Sequence, residues 1–369
     1  MAKTIRKKWI ILVVLIFLLY VFIAAKPIPG ETILAPRWLT SLESSFSVSM
    51  ADNGIESAAE SGTVIPFNYG NRFGYIKDNG QLLLNRIRKD GYLSFSPYLW
   101  SEYETVPSVL NIYNPAEELA MTINNPRGYP FFTDNRTYIV GSEQNSVSRI
   151  DNRGNEIWNY VFPAPLTCVD ASSGYLLAGM LDGAIELLNE SGRQIFAFEP
   201  GGSRLAVIPG CAISGDGSRL AVISGIDEQR FLMLEKTGET YRVMYHEFIS
   251  TGFRRAVHID FIDNDRNIVY ERENGIGVYD IVSRTGFAIP LEGEIIAMDS
   301  ADSKYFFVIT SDGNRKRLTA ILLKDGKQPP EIVLNAPFRS TNAYLARRDS
   351  RIYVGGDQSL ISFELVKNK

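Results

Sequence analysis

The alternation of apolar and polar residues between positions 174 and 199 defines a unit that recurs along this chain. Apolar runs at 175–181 and 184–188 are separated by the pair Asp182-Gly183. In the second run Ile and Leu alternate with Glu, which is the period of a strand with one buried face. Asp-Gly favours a tight hairpin because glycine adopts a positive φ without steric cost. The pattern therefore predicts a meander of strands that needs neighbouring units to bury its second face.

The same hairpin recurs at intervals typical of propeller blades. Glycines in its outer turn stand 38, 46, 48 and 40 residues apart, at positions 154, 192, 238, 286 and 326. Two further strands precede each hairpin, as at 166–171 and 175–181. Periods of about 40–50 residues with four strands each indicate a β-propeller. We therefore predict an all-β, eight-bladed β-propeller over 63–369. Seven blades are the alternative, because 92–104 is a compressed start for the second repeat.

The last repeat lacks an outer strand. Residues 360–365 begin its hairpin, and no return strand follows them in the sequence. An unpaired strand edge favours aggregation, so we expect the linker 26–62 to supply a strand that closes the ring. Alternation of Phe46 and Val48 with serines favours 44–50 for this strand.

The N-terminal residues have the pattern of a membrane anchor. Positions 9–25 are uncharged and mostly apolar, and they follow a basic cluster within 1–8. As a helix they would span roughly 26 Å, close to the thickness of a bilayer core. The positive-inside rule then predicts a cytoplasmic tail at 1–8 and a transmembrane anchor at 9–25. The chain would be a single-pass protein of the cell inner membrane with a periplasmic C-terminal domain. A cleaved signal peptide is the alternative, since Ala24-Ala25 could be cut.

Charge and cysteine content narrow the function classes. The formal net charge is −4, and four of the cations stand within 1–8, so the remainder is more acidic still. Nucleic-acid binding needs a basic patch, so we expect no nucleic-acid partner. Cys168 and Cys211 have no metal-ligand spacing. They fall on the same strand of successive repeats, where they could pack as small apolar residues. They could instead form a disulfide if their Cα atoms lie within about 7 Å.

The segment 154–158 (GNEIW) resembles the PQQ-like repeats of bacterial β-propellers, in which a turn glycine precedes a tryptophan on the outer strand. The strands on either side of Asp182-Gly183 are similar to the same pattern. Residues 214–221 are similar to a strand link of WD40-type propellers. The resemblance implies an architecture in which the outer-strand tryptophan docks between adjacent blades. Such propellers include quinoprotein dehydrogenases and the non-enzymatic lipoprotein scaffold of the outer-membrane assembly machinery, so it implies no single function.

Catalytic chemistry finds little support in the sequence. The quinoprotein resemblance implies adjacent cysteines that cap the quinone, and the chain has none. His246 and His258 are the only histidines, and no Gly-x-Ser-x-Gly elbow presents a nucleophile. We therefore expect no enzymatic activity, no cofactor and no metal. A channel-site enzyme or a cofactor-binding, quinoprotein-like propeller is the alternative.

Two connections between repeats carry residues suited to binding. The segments 199–205 and 248–255 contain Arg204, Phe253, Arg254 and Arg255. Planar guanidinium groups beside an aromatic ring suit recognition of carboxylates or of a partner's backbone. The same arginines could instead close the channel by pairing with acidic groups.

The irregular segment 92–103 concentrates aromatic residues. Trp100 and Tyr103 within it are candidate anchors for an interface, with core packing as the alternative. Together with the arginines, these residues lead us to expect a protein–protein interaction scaffold. Its partner would be a protein of the bacterial cell envelope.

Overall fold

The computed structural model describes residues 13–15, 17, 20, 32–43, 47–49, 64–88, 91–105, 107–133, 136–249, 252–299 and 303–367. The described residues form 32 β-strands, which pair into eight antiparallel sheets. The prediction of an all-β, eight-bladed propeller is confirmed.

The strands of the first half follow one another sheet by sheet. Ahead of sheet 1 lie β1 (Thr32–Ser41) and β2 (Ser47–Ser49). Sheet 1 contains β3 (Val64–Tyr69), β4 (Arg72–Lys77) and β5 (Leu82–Ile87). Sheet 2 contains β6 (Tyr92–Phe95), β7 (Trp100–Tyr103), β8 (Val109–Tyr113) and β9 (Leu119–Asn124). Sheet 3 contains β10 (Gly128–Thr133), β11 (Arg136–Gly141), β12 (Ser146–Ile150) and β13 (Glu156–Val161). Sheet 4 contains β14 (Leu166–Ser172), β15 (Tyr175–Met180), β16 (Ile185–Leu188) and β17 (Gln194–Phe198).

The second half continues in the same way. Sheet 5 contains β18 (Gly210–Ile213), β19 (Arg219–Ser224), β20 (Arg230–Thr237) and β21 (Thr240–Phe248). Sheet 6 contains β22 (Ile259–Ile262), β23 (Asn267–Arg272), β24 (Gly275–Asp280) and β25 (Thr285–Pro290). Sheet 7 contains β26 (Glu294–Met298), β27 (Tyr305–Asp312), β28 (Arg315–Leu322) and β29 (Glu331–Arg339). Sheet 8 contains β30 (Ala343–Arg348), β31 (Arg351–Gly356) and β32 (Ser359–Lys367), with β1 and β2 added at its outer edge.

The first strand of each sheet lies innermost. In sheets 2 to 7 the four strands pair in chain order, and first strands of neighbouring sheets contact each other, as β14 does β18 and β18 does β22. The second and third strands are buried by sheets on both sides. Leu177 and Ile185 of sheet 4 thus share one apolar cluster with Leu220 and Val222 of sheet 5. Strands covered on both faces have nearly continuous apolar runs, which explains the run at 175–181.

Sheet 8 is completed by a strand from the other end of the chain. β1 pairs antiparallel with β32, from Thr32 opposite Lys367 to Ser41 opposite Ser359. This strand lies inside the predicted linker 26–62 but upstream of the predicted segment 44–50. Within that segment, Ser47–Ser49 form β2 on the outer edge of β1, and the other four residues lie outside the described residues. The longer ladder belongs to β1, so β1 is the strand that completes the sheet.

Trp38 of β1 joins the last sheet to the first. Its side chain is 4% exposed and packs among residues of sheets 1 and 8. The indole Nε1 donates to the Asp78 carbonyl at 2.8 Å, and Thr40 Oγ1 donates to the Gly80 carbonyl at 2.7 Å. Gly80 has φ +86°, and a Cβ there would lie 2.9 Å from the indole. The β4–β5 turn therefore needs glycine both for its backbone and for the close approach of Trp38.

The predicted transmembrane anchor at 9–25, and the inner-membrane localisation that follows from it, are wrong. No helix in the part of the chain that the structure describes is long and apolar enough to cross a membrane. Of this segment only 13–15, 17 and 20 are described, all in helical conformation. The predicted tail at 1–8 lies outside the described residues.

Replacing Trp38 tests the closure of the ring. We expect Trp38→Ala to lower the free energy of unfolding by roughly 3–5 kcal/mol, because it leaves a cavity between two sheets and removes one of the two hydrogen bonds that the Asp78 carbonyl accepts. Ile33→Ala, a truncation at an exposed position of the same strand, is the matched control and should cost far less. Denaturant unfolding followed by tryptophan fluorescence and circular dichroism measures both. Equal midpoints for the two variants would mean that β1 does not hold the ring together.

Candidate functional site

The connections between sheets and the turns between second and third strands lie at one end of the ring, here named the connection face. This follows from the antiparallel order of four strands, which returns the chain to the same end after its second and fourth strands. Backbone contacts join these segments. Gly225 N donates to the Val207 carbonyl at 2.8 Å, and Val257 N donates to the Pro209 carbonyl at 2.9 Å. Neighbouring loops of the connection face therefore support one another.

Arg204 lies in the connection between β17 and β18. Its side chain is 96% exposed, and its Nε is 3.8 Å from Asp227 Oδ2. Asp227 also accepts a hydrogen bond from the Ser203 hydroxyl, which holds the pKa of this carboxyl below its usual range. Since an exposed pair at this distance contributes little to stability, the guanidinium of Arg204 remains available to a partner.

Phe253 is held in place by a buried glutamine. Gln229 Nε2 donates to the Phe253 carbonyl at 2.8 Å, and the Phe253 amide donates to Gln229 Oε1 at 3.3 Å. The phenyl ring packs against the apolar cluster between sheets 5 and 6. A side-chain amide thus satisfies the backbone of the loop, and the connection is preorganised where it carries Arg254 and Arg255.

Arg255 forms a bidentate ion pair with a buried carboxylate. Its Nη2 and Nη1 lie 2.5 and 2.9 Å from the two oxygens of Glu271, whose side chain is 2% exposed. The guanidinium also covers the Phe253 ring, with 4.5 Å from Cζ to the ring centroid. The hydrogen bond to Glu271 raises the pKa of Arg255. A fixed guanidinium above a buried carboxylate stabilises the connection rather than remaining free.

Arg254 has a different environment from its neighbour. It is exposed, and no described residue forms a hydrogen bond or an ion pair with its side chain. The structure therefore brings three of the four candidate residues, Phe253, Arg254 and Arg255, into one short loop, and places Arg204 in the preceding connection. Arg204 and Arg254 are the two arginines of this group whose guanidinium groups are not held by a buried carboxylate.

A cavity of about 650 Å³ opens on the connection face at sheet 7. Its charged lining consists of four cations and two carboxylates: Arg315, Lys316, Arg317, Arg339, Glu292 and Asp312. Arg317 pairs with Glu292 at 2.6 Å. The buried Lys316 ammonium instead donates to two neutral oxygens, Ser311 Oγ at 2.7 Å and the Gly313 carbonyl at 2.5 Å. The cavity is therefore net positive and suits an anionic group.

The aromatic candidates lie away from this cavity. Trp100 is 1% exposed, donates its indole N–H to the Asn114 carbonyl at 3.0 Å and stacks on Tyr113. An indole this buried cannot contact a partner while sheets 1 and 2 remain packed. Tyr103 is partly exposed, and its hydroxyl lies 3.0 Å from Ser94 Oγ. Burial raises the pKa of Tyr103.

Comparison with protein families agrees with the ring of sheets. A family model described as "beta-propeller protein" matches residues 1–369. The chain belongs to this family. It is also 28% identical over 285 residues to an uncharacterized protein of Treponema pallidum (strain Nichols), covering 77% of this chain and 75% of the relative.

Solved structures share the fold at low sequence identity. BamB from Moraxella catarrhalis superposes with a TM-score of 0.56 at 12% identity, over 82% of this chain and 99% of that one. Apo AztD from Citrobacter koseri gives 0.54 at 15% identity, over 79% and 88%. A chain of a mitotic checkpoint complex gives 0.53 at 12% identity, over 86% and 98%. At these identities the likeness shows a propeller fold and nothing further about this chain.

Several residues that shape the connection face were not predicted from the sequence. Gln229 and Glu271 give no signal in the sequence, because their partners are contributed by other loops. The run 315–317 (RKR) beside a turn does indicate a positively charged surface in the sequence. Alternate residues of a strand face the same side, so at least two of three successive cations share one surface. Among the described residues, no group of three or more His, Cys, Asp or Glu side chains could hold a metal ion.

Replacing Arg255 tests its structural role. We expect Arg255→Ala to lower the free energy of unfolding by about 3 kcal/mol, because the Glu271 carboxylate would stay buried without its counter-charge. Arg254→Ala, the adjacent exposed arginine, is the control and should change stability by less than about 0.5 kcal/mol. Denaturant unfolding monitored by circular dichroism compares the two. Similar midpoints would refute a structural role for Arg255.

Proposed function

We propose that this β-propeller is a non-enzymatic scaffold that binds a partner protein through its connection face. The observation that carries the proposal is the pair of exposed arginines, Arg204 and Arg254, on loops held by buried contacts. Loops carry binding residues on rigid scaffolds, and a preorganised loop loses little conformational freedom on binding. Arg255, Glu271 and Gln229 contribute this rigidity.

The partner surface that fits this face carries carboxylates. Arg204 and Arg254 offer planar donors that match carboxylate geometry, and arginine is enriched at interfaces. The net positive cavity at sheet 7 extends the same chemistry to a second point of the connection face. An acidic loop or tail of a partner could therefore bind across sheets 5 to 7.

The comparisons support a scaffold through architecture alone. One structural neighbour is a chain of a mitotic checkpoint complex, so a chain of this fold occurs within a protein assembly. BamB is a bacterial propeller of similar shape. We further propose that the partner belongs to the bacterial cell envelope. This step rests on the resemblance of 154–158 to the PQQ-like repeats of bacterial β-propellers.

Charge reversal on the connection face tests the proposal. We expect Arg204→Glu with Arg254→Glu to leave folding intact and to weaken partner binding by at least about 2 kcal/mol, roughly thirty-fold, as for central interface arginines. The matched control reverses two exposed arginines in turns at the opposite end of the ring, Arg153→Glu with Arg193→Glu. Crosslinking of each tagged full chain in its native cells, followed by quantitative mass spectrometry, measures recovery of partners.

Equal recovery of crosslinked partners with both double variants would refute the proposal. Binding that persists at high ionic strength would also count against it, because contacts between exposed charges are screened by salt. Turnover of a small substrate by the purified chain, abolished by changes in the channel, would favour the enzyme alternative.

A further inference from the structure

The two cysteines of the chain meet across a sheet boundary. Cys168 lies on β14 and Cys211 on β18, the innermost strands of sheets 4 and 5. Both are free thiols, and their Sγ atoms are 3.1 Å apart. That is only about 1 Å longer than a disulfide bond of ~2.05 Å. No other cysteine exists in the sequence, so each thiol has one possible partner within the chain.

The surroundings make room for this contact. A Cβ on Gly179 would lie 2.5 Å from Cys168 Sγ and 2.5 Å from Ile208 Cγ2, so the absence of a side chain at this position leaves the thiol its space. Gly179 pairs directly with Cys168 between β15 and β14. The contact is therefore built into the packing of two strands and does not depend on a flexible loop.

We propose that Cys168 and Cys211 are a modification site: they form a reversible disulfide that joins sheets 4 and 5, with a small-molecule disulfide such as oxidised glutathione as the oxidant. This inference goes beyond the scaffold function and does not depend on it. The site needs no movement larger than a side-chain adjustment, because the two sulfurs are already in contact.

The exchange follows from the exposure of the two thiols. Cys168 is partly exposed, whereas Cys211 is 7% exposed. The Cys168 thiolate attacks one sulfur of the oxidant and releases the first glutathione thiol, which leaves a mixed disulfide at Cys168. The Cys211 sulfur then loses its proton, attacks Cys168 Sγ and expels the second glutathione thiol. Two protein thiols are oxidised by two electrons, and one external disulfide is reduced to two thiols.

The order of attack agrees with the electrostatics of the pair. The hydrogen bond with Cys168, and then burial, raise the pKa of Cys211 well above its usual value. A buried, protonated thiol is a poor first nucleophile. Cys211 therefore reacts second, when Cys168 carries a leaving group at contact distance.

The pair also touches the connection that carries Arg204. Cys168 Sγ lies 3.5 Å from the Ile208 carbonyl, which also accepts a hydrogen bond from Thr167 Oγ1 at 2.5 Å. Ile208 N in turn donates to the Met180 carbonyl at 3.1 Å. A disulfide would bridge residues 43 positions apart directly beneath this connection. It would limit separation of the two innermost strands and hold the connection more tightly.

The test uses the full chain, reduced with a thiol, freed of reductant and incubated with oxidised glutathione without denaturant. We expect the intact mass to fall by two hydrogen atoms, peptide mapping to find Cys168 linked to Cys211, and reduction to restore both thiols. The oxidised chain should melt at a higher temperature than the reduced chain, because a long loop is closed in its unfolded state.

Two serine variants separate the steps. Cys211→Ser should stop at the mixed disulfide of Cys168 with glutathione, and Cys168→Ser should form no internal disulfide and show no rise in melting temperature. The proposal fails if the folded wild-type chain keeps both thiols free, or if it stops at a glutathione adduct. The wild-type mass alone decides this, so a variant that does not fold leaves the proposal falsifiable.

Discussion

The ladder between β1 and β32 is the contact on which the rest of the ring depends. Each sheet buries both faces against its neighbours, so a ring that opens at one boundary exposes the faces of two sheets at once. Here Thr32–Ser41 pair with the C-terminal strand within sheet 8. From the same strand, Trp38 crosses the boundary to sheet 1 and donates to the Asp78 carbonyl. A similar contact occurs between sheets 3 and 4, where Trp158 Nε1 donates to the Glu190 carbonyl at 3.0 Å. Tryptophan on an outer strand thus couples adjacent sheets at two boundaries.

In the connection after sheet 5, two adjacent arginines have different roles: one stabilises the fold, and the other is available for binding. Arg255 neutralises the buried Glu271, whereas Arg254 beside it is exposed. The first residue fixes the shape of the loop, and the second is presented to solvent by that shape. Gln229 contributes in the same way, because its buried amide satisfies the backbone of Phe253. Burial of polar groups with complete hydrogen bonding makes a rigid connection without exposing apolar surface.

The cysteine pair and the connection face occupy different parts of the same blades. The thiols lie between innermost strands, and Arg204 lies at the end of the ring on the connection that follows sheet 4. Ile208 links the two, because it contacts Cys168 and belongs to that connection. A covalent bond at the inner strands would therefore act on the connection through Ile208. Family membership and structural neighbours are consistent with this architecture and specify neither site.

The sequence alone determined the features that depend on local pattern. Alternation at 184–188, the Asp182-Gly183 turn and the spacing of turn glycines predicted the strands, their hairpins and the eight sheets, because sheets 1 to 7 and three strands of sheet 8 are each built from contiguous residues. It also pointed to the connections that carry Arg204 and Arg254, since glycine-bearing segments between repeats must lie at the surface. The apolar pattern at 9–25 was interpreted as a membrane-spanning helix, and the structure does not support that interpretation. Only the tertiary structure decided which strand completes sheet 8, that Trp100 is buried, that Arg255 neutralises Glu271 and that Cys168 touches Cys211. These contacts join residues from distant parts of the chain or from neighbouring sheets. They depend on the closure of the ring, which the pattern within a single segment does not indicate.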